Sequence, residues 1–318
     1  MPPTLAHPET LRRETPQSGV DALIHANCEG FSGSCVASRL FHAPSLLRLW
    51  HLSSLDAPTV AVVWALAFAW AAKIRLPAWI PVLLALVAWA AYIVDRLLDA
   101  RAALAACQLH RLRERHRFHW RHRSILIPVA IAATCAAASI VFFLMPAGAR
   151  ERNSLLATAA FAYFTRVHSS RMPSKFLFPL LSKELLVGLL FTAACALPAM
   201  SRAAAQPGAS LRILTGPVLF LAALAWLNCH AIERWESRGP SPGNPTVFSA
   251  ACLLTLVGLL SVVLLAPNDL RLAALVTAGT ASALLLTLLD HFRHRLTPIA
   301  LRAAADLVLL TPLILLLR

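Results

Sequence analysis

The sequence predicts an all-α, polytopic membrane bundle of about nine transmembrane helices, and three observations carry that expectation. Of the 318 residues, 58% are hydrophobic and only 14% charged, with a mean hydropathy of +0.66. A soluble domain holds about 45–50% apolar and about 25% charged residues. The apolar residues are gathered into runs of about 17–25, bounded by charge, Pro or Gly, which is the length a helix needs to cross about 30 Å of hydrocarbon. The runs are continuous and rich in Ala and Leu rather than alternating, as helices require and barrel strands do not. This hydropathy excludes a disordered chain, and seven scattered cysteines exclude a disulfide scaffold.

Taken in order, residues 1–43 read as a polar, flexible tail with no secretory signal peptide. Cys28 and Cys35 within it have no His or Cys at metal-ligand spacing and read as free thiols. Residues 44–55 set Leu46, Leu47, Trp50 and Leu52 against Arg48 and His51, a pattern suited to a short interfacial helix before the bundle of 44–318. Nine spans follow at roughly 57–72, 78–98, 124–145, 153–168, 176–199, 212–232, 246–266, 270–290 and 298–317, the first and fourth being short.

The 29 Lys and Arg exceed the 15 Asp and Glu by 14. Roughly two thirds of the basic residues fall in the tail and in the loops after spans 2, 4, 6 and 8, so the positive-inside rule predicts a cytoplasmic N-terminus and an outside C-terminus, in a cell inner membrane. The positive surplus is then a topological signal. A nucleic-acid partner is not expected, because that needs a basic face with base-stacking aromatics rather than loops beside a membrane.

Ionisable residues at or inside spans are costly and are the default functional candidates. Span 2 ends with Asp95 and Asp99, which at i and i+4 share one helix face. Their mutual repulsion disappears if Mg²⁺ lies between them, since that ion is held by one or two carboxylates plus waters and phosphate oxygens. Neutralisation by Arg96 and nearby arginines is the plainer alternative. Span 6 ends with Asn228, Glu233 and Glu236, the two glutamates again on one face. Both acidic ends fall on the same side of the membrane, so Asp95, Asp99 and Glu236 are expected to converge across one cavity.

Cations complete the pattern. Arg166 and Arg171 end span 4, Tyr163 lies about one turn inside it, and Lys183 falls about seven residues into span 5, roughly 10 Å below the membrane edge. Lys183 and Glu184 are adjacent and so point apart, and each needs a partner elsewhere or, for Lys183, a route to the interface. His116, His119 and His122 recur every three residues, but the di-iron HxxHH pattern is missing, and the basic stretch 110–123 reads as a face lying on anionic lipid or closing over a phosphate. Arg302 and Asp306, at i and i+4, are expected to neutralise one another, and Asp290 reads as an ordinary charged span end.

This arrangement resembles the UbiA family of intramembrane prenyltransferases over about residues 44–317. Asp95-Arg-Leu-Leu-Asp99 is similar to the DxxxD core of the family's first acidic motif, Asn228 to Glu236 stand in the place of the second, and Tyr163-Phe-Thr-Arg166 resembles its tyrosine followed by a basic residue. The chain departs from the pattern at Ala91, where the family has Asn or Asp, and in having Asn228, Glu233 and Glu236 where the family has aspartates. The resemblance implies nine helices around a cytoplasm-facing cavity in which Mg²⁺, held by Asp95, Asp99, Glu233 and Glu236, binds a polyprenyl diphosphate. It further implies that the prenyl group passes to a lipophilic or aromatic acceptor. Asp95, Asp99, Lys183 and Tyr163 are the catalytic candidates, and Arg96, Arg166, Arg171 and Asn228 the substrate-binding ones. Trp64, Trp70, Trp89 and Phe191 are available as aromatic walls. The departures imply weaker metal binding, or a changed acceptor. A small-solute transporter, and a non-catalytic descendant that binds isoprenoid lipid, remain open as alternatives.

Overall fold

Ser182, Asp269 and Thr297 cap the starts of three helices of this chain by accepting from backbone N–H groups of the first turn. In the computed structural model the described residues are 45–105, 113–168, 182–206, 212–238 and 245–317, all in the unit Phe41–Arg318. The tail with Cys28 and Cys35, and Arg171, lie outside them. The helices are α1 (Ser45–Leu52), α2 (Asp56–Ala71), α3 (Trp79–Ala105), α4 (Glu114–Arg121), α5 (Arg123–Phe143), α6 (Ala147–His168), α7 (Lys183–Ala203) and α8 (Arg212–Arg238). They continue with α9 (Pro245–Leu265), α10 (Leu270–Phe292), α11 (Pro298–Leu307) and α12 (Leu313–Leu316). No strand occurs among the described residues.

Six of these helices, α3, α5, α7, α8, α9 and α10, are long and apolar enough to cross a membrane, and α1 with α2, bent by 90°, makes a seventh if counted as one span. The expected nine are therefore not matched one for one. The fourth run folds as α6, a helix long enough to span, but its early turns carry Arg150, Glu151, Arg152 and Asn153. The ninth is not one helix: α11 gives way to a 3₁₀ turn at Val308–Leu310 before α12. The break has a local cause. Pro312 lacks an N–H, and its ring crowds the carbonyl of Val308 four residues earlier. The freed carbonyls are satisfied from other helices: Ser282 donates to Val308 O at 2.7 Å and the Trp64 indole to Leu309 O at 3.0 Å. Broken helices persist in lipid only under such compensation.

The centre of the bundle is α2, α7, α8 and α10, where Trp64, Phe68, Leu221, Leu224, Leu272, Leu275 and Leu286 are fully buried. The aromatic wall expected of Trp64 is instead core. On the periphery, α9 exposes Leu253, Leu256, Leu260 and Val263, an apolar face of the kind lipid covers. Between helices in lipid, packing and polar contacts supply the attraction, so small residues mark the close approaches. A Cβ at Gly188 of α7 would lie 2.8 Å from the backbone nitrogen of Trp226 in α8.

The junction of α1 and α2 turns on Ser54, a non-glycine residue at φ 56°. The surrounding structure holds it there. The Trp89 indole of α3 donates to Ser53 O at 3.0 Å, and Ser54 Oγ contacts both Arg96 Nε (3.3 Å) and His119 Nε2 (3.2 Å). On α1, Leu46 and Leu49 are exposed, whereas His51, read from the sequence as part of the polar side, is buried with Leu52.

Because the Trp226 backbone cannot retreat, Gly188→Ala is expected to destabilise the fold by about 1–3 kcal/mol. Gly216, whose added Cβ meets nothing within 4 Å, is the control, and Gly216→Ala should leave stability equal or slightly higher. Unfolding midpoints of both variants in one detergent check this.

Candidate functional site

The ends of α3 and α8 open on one cavity of about 450 Å³. Eight of the ten residues selected from the sequence line it: Asp95, Arg96, Asp99, Tyr163, Lys183, Asn228, Glu233 and Glu236. Arg166 lies in the last turn of α6, and Arg171 falls outside the described residues. The expected convergence of Asp95, Asp99 and Glu236 on one cavity is thus what the fold contains. Helix geometry explains it: i,i+4 on α3 and i,i+3 on α8 turn each pair of acids to one side. The cavity's other wall is apolar, with Leu84, Val87, Leu190 and Phe191. Of the aromatic walls expected, Phe191 alone lines it, joined by Phe164.

Several expectations need correction. Lys183 is not buried deep in a span; it is the first residue of α7 and exposed, because Ser182 caps the helix there by accepting from Leu185 N at 3.2 Å. Arg302 and Asp306 are not simply a mutual pair. Arg302 donates to Glu236 Oε1 at 2.8 Å, and Asp306 faces Asn228 Nδ2 (3.5 Å) and His51 Nδ1 (3.7 Å). Both line the cavity, and sequence reasoning missed them because i,i+4 spacing suggested self-neutralisation. Asp290 does behave as a structural group, accepting from the Trp235 indole at 2.7 Å and from Arg293 at 3.2 Å.

The largest correction concerns Glu236. Its carboxylate is bonded by Arg113, by Arg115 at 3.2 Å and by Arg302 at 2.8 Å, so both oxygens are occupied by guanidiniums and it is not available as a metal ligand. Charge drives the choice: three arginines from α4, its preceding residue and α11 need a counter-charge at this depth, and Glu236 is the carboxylate between them. One negative charge against three positive makes this corner of the cavity locally cationic, opposite the carboxylates of Asp95, Asp99 and Glu233 that line the same cavity. Arg302 Nε is buried without a hydrogen-bond partner among the described residues.

The basic stretch folds as α4 and turns inward. Arg115, His116 and His119 are buried, so the three-residue spacing serves packing rather than a common metal site. His119 Nδ1 contacts Arg115 O at 2.7 Å; a carbonyl only accepts, so Nδ1 carries the proton and Nε2 accepts from Ser54. His122 Nδ1 bonds Phe118 O in the same way. Burial, followed by the field of Arg115, holds His116 down at about 3, and burial likewise lowers His119 to about 4. The 3.9 Å approach of His116 to Asp99 is therefore between a neutral ring and a carboxylate, not an ion pair.

A Mg²⁺ ion fits this donor set in part. Asp95 and Asp99 supply the one or two carboxylates that such an ion takes, and Glu233, exposed, lines the same cavity. Glu236 does not belong to the set. Compared with family models, with curated proteins and with solved structures, the chain matches none.

Two outcomes follow from these contacts. Removing Glu236 leaves three guanidiniums uncompensated, so Glu236→Ala should cost about 3–5 kcal/mol, seen as a lowered unfolding midpoint, whereas Glu233→Ala, at an exposed site, should cost little. The second concerns acid. In the unfolded chain His116 and His119 titrate near about 6.5, above their folded values, so the unfolded state binds more protons below that pH. Stability is full above pH about 6.5 and falls toward pH about 4. Melting temperatures at pH 7.5 and 5 should differ, and His116→Gln should flatten the difference.

Proposed function

We propose that the chain is a prenyltransferase-like integral membrane enzyme, moving a polyprenyl group from its diphosphate to a lipophilic or aromatic acceptor, with Mg²⁺ as cofactor. One observation carries the reading: a single cavity joins the Asp95 and Asp99 carboxylates, a cluster of guanidiniums from Arg113, Arg115 and Arg302, and an apolar wall. Metal-bound diphosphate needs carboxylates and cations at one end of its site, and a prenyl chain needs an apolar surface at the other.

Asp95 and Asp99, with Glu233 nearby, would hold the metal, and Mg²⁺ when bound supplies charge neutralisation and Lewis acidity at the leaving diphosphate. The protein's own cations do the same from the other side. Arg113, Arg115 and Arg302, only partly balanced by Glu236, face the cavity and stabilise negative charge as the carbon–oxygen bond breaks and diphosphate departs with the electron pair. Arg96 is less free to do so, since it is buried, donates to Ser54 and stacks on Tyr92 at 5.6 Å. Lys183, exposed at the start of α7, and Tyr163 stand at the rim as donors. Leu84, Val87, Leu190 and Phe191 exclude water from the allylic carbon until an acceptor attacks it.

In this reading α6 and the broken α11–α12 pair complete the bundle beside the six long apolar helices, the N-terminus is cytoplasmic, and the protein sits in a cell inner membrane. Transport would draw on the broken last helix, yet its freed carbonyls are bonded to Ser282 and Trp64 rather than lining the cavity, which favours the enzyme over that alternative.

Purified protein with a panel of prenyl diphosphates, in Mg²⁺ or EDTA, tests the proposal. Diphosphate release should require Mg²⁺ and fall at least about a hundredfold in Asp95→Asn and Asp99→Asn, in line with loss of a group that acts on the transition state. Release or binding indifferent to both substitutions and to EDTA would remove the enzyme reading and leave non-catalytic isoprenoid binding.

A further inference from the structure

At the edge of the cavity, three side chains from three helices converge on one point. His51 of α1, Asp56 of α2 and Asp306 of α11 each offer a ligand atom, all within 4.8 Å of one another. His51 Nδ1 is 2.6 Å from Asp56 Oδ2 and 3.7 Å from Asp306 Oδ2. His51 and Asp56 are enclosed, at 1% and 2% side-chain exposure, whereas Asp306 is 20% exposed and lines the cavity. The site is therefore sealed behind and open in front, as a metal centre with a free coordination position is.

A fourth group points to a ligand. Asn228 is buried at 5% exposure, its Nδ2 donates to Asp306 Oδ1 at 3.5 Å, and its Oδ1 on the other side of the amide has no hydrogen-bond partner among the described residues. A buried amide oxygen left unmatched is costly unless something fills it. The nearby cations do not fill it: Arg302 is engaged with Glu236, and Arg96 with Ser54 and the ring of Tyr92.

We propose that His51, Asp56 and Asp306, with Asn228 Oδ1 beside them, bind one divalent transition-metal cation, at a centre distinct from Asp95 and Asp99. The donor chemistry selects the ion. One imidazole nitrogen with carboxylate oxygens suits Mn²⁺, Fe²⁺ or Zn²⁺ better than Mg²⁺ or Ca²⁺, which take oxygen alone. Bonds of about 2.1 Å put neighbouring ligand atoms roughly 3.0–3.4 Å apart, and the two distances from His51 Nδ1 straddle that range. A dication also balances the two carboxylates. The inference does not depend on prenyl transfer, and its failure would leave that reading standing.

The test is Mn²⁺ binding by the full chain in detergent after chelator treatment, followed by pulsed EPR, with Zn²⁺ as a second probe. With excess Mg²⁺ present to occupy the Asp95–Asp99 carboxylates, a single Mn²⁺ per chain with coupling to a nitrogen is expected. His51→Gln should remove the nitrogen coupling, and both His51→Gln and Asp306→Asn should weaken binding at least about tenfold. Asp95→Asn, Asp99→Asn and His116→Gln should leave binding and coupling intact. If a variant does not fold, the nitrogen coupling of the wild type and its survival in His116→Gln decide the matter. Failure of the wild type to retain Mn²⁺ or Zn²⁺, or loss of binding in Asp95→Asn but not in His51→Gln, would overturn the site.

Discussion

The ion cluster on Glu236 is the constraint on which the cavity end of this molecule depends. One carboxylate near the end of α8 receives Arg113 and Arg115 from the amphipathic segment and Arg302 from α11. Buried charges are tolerable only when paired. The cluster therefore fixes three segments distant in sequence against each other, and it gathers guanidiniums at one corner of a cavity whose other charged groups include Asp95, Asp99 and Glu233. The same requirement accounts for the inward turn of α4, where Arg115 is drawn in by Glu236 and His119 by Ser54, and His116 accepts from Arg115.

Charge and break points in the rest of the fold follow from the same scarcity of water. Ser54 at positive φ, the 90° bend between α1 and α2 and the 3₁₀ break before Pro312 each free backbone groups. Trp89, Trp64 and Ser282 donate to the carbonyls of the turn and the break, and Arg96 and His119 hold the Ser54 hydroxyl. These side chains are the price of bending helices in an apolar surrounding, and the first bend is what brings His51 to Asp56 and Asp306.

Helix identity was legible in the sequence because apolar run length is a one-dimensional property. So was the sharing of one cavity by Asp95, Asp99, Glu233 and Glu236, because i,i+3 and i,i+4 spacing fixes a face without knowledge of the partner. What was not legible depends on tertiary partners. The number of long apolar helices depended on where charge and Pro312 interrupt the short and terminal runs. Lys183 was misplaced because Ser182 starts α7 later than the hydropathy does. Glu236 was read as a ligand because its arginines come from residues 113, 115 and 302, and Arg302 was read as neutralising its neighbour Asp306. His51 looked like the polar face of an interfacial helix; only the bend turns it inward.

A structure of the protein with Mg²⁺ and an uncleavable prenyl thiodiphosphate addresses the functional reading most directly. The account predicts the diphosphate between the Asp95–Asp99 pair and the guanidiniums of Arg113, Arg115 and Arg302, with the prenyl chain along Leu84, Val87 and Phe191 and Glu236 still bonded to its arginines. A diphosphate bound outside this cavity, or a cavity that stays closed to it at saturating ligand, would contradict it.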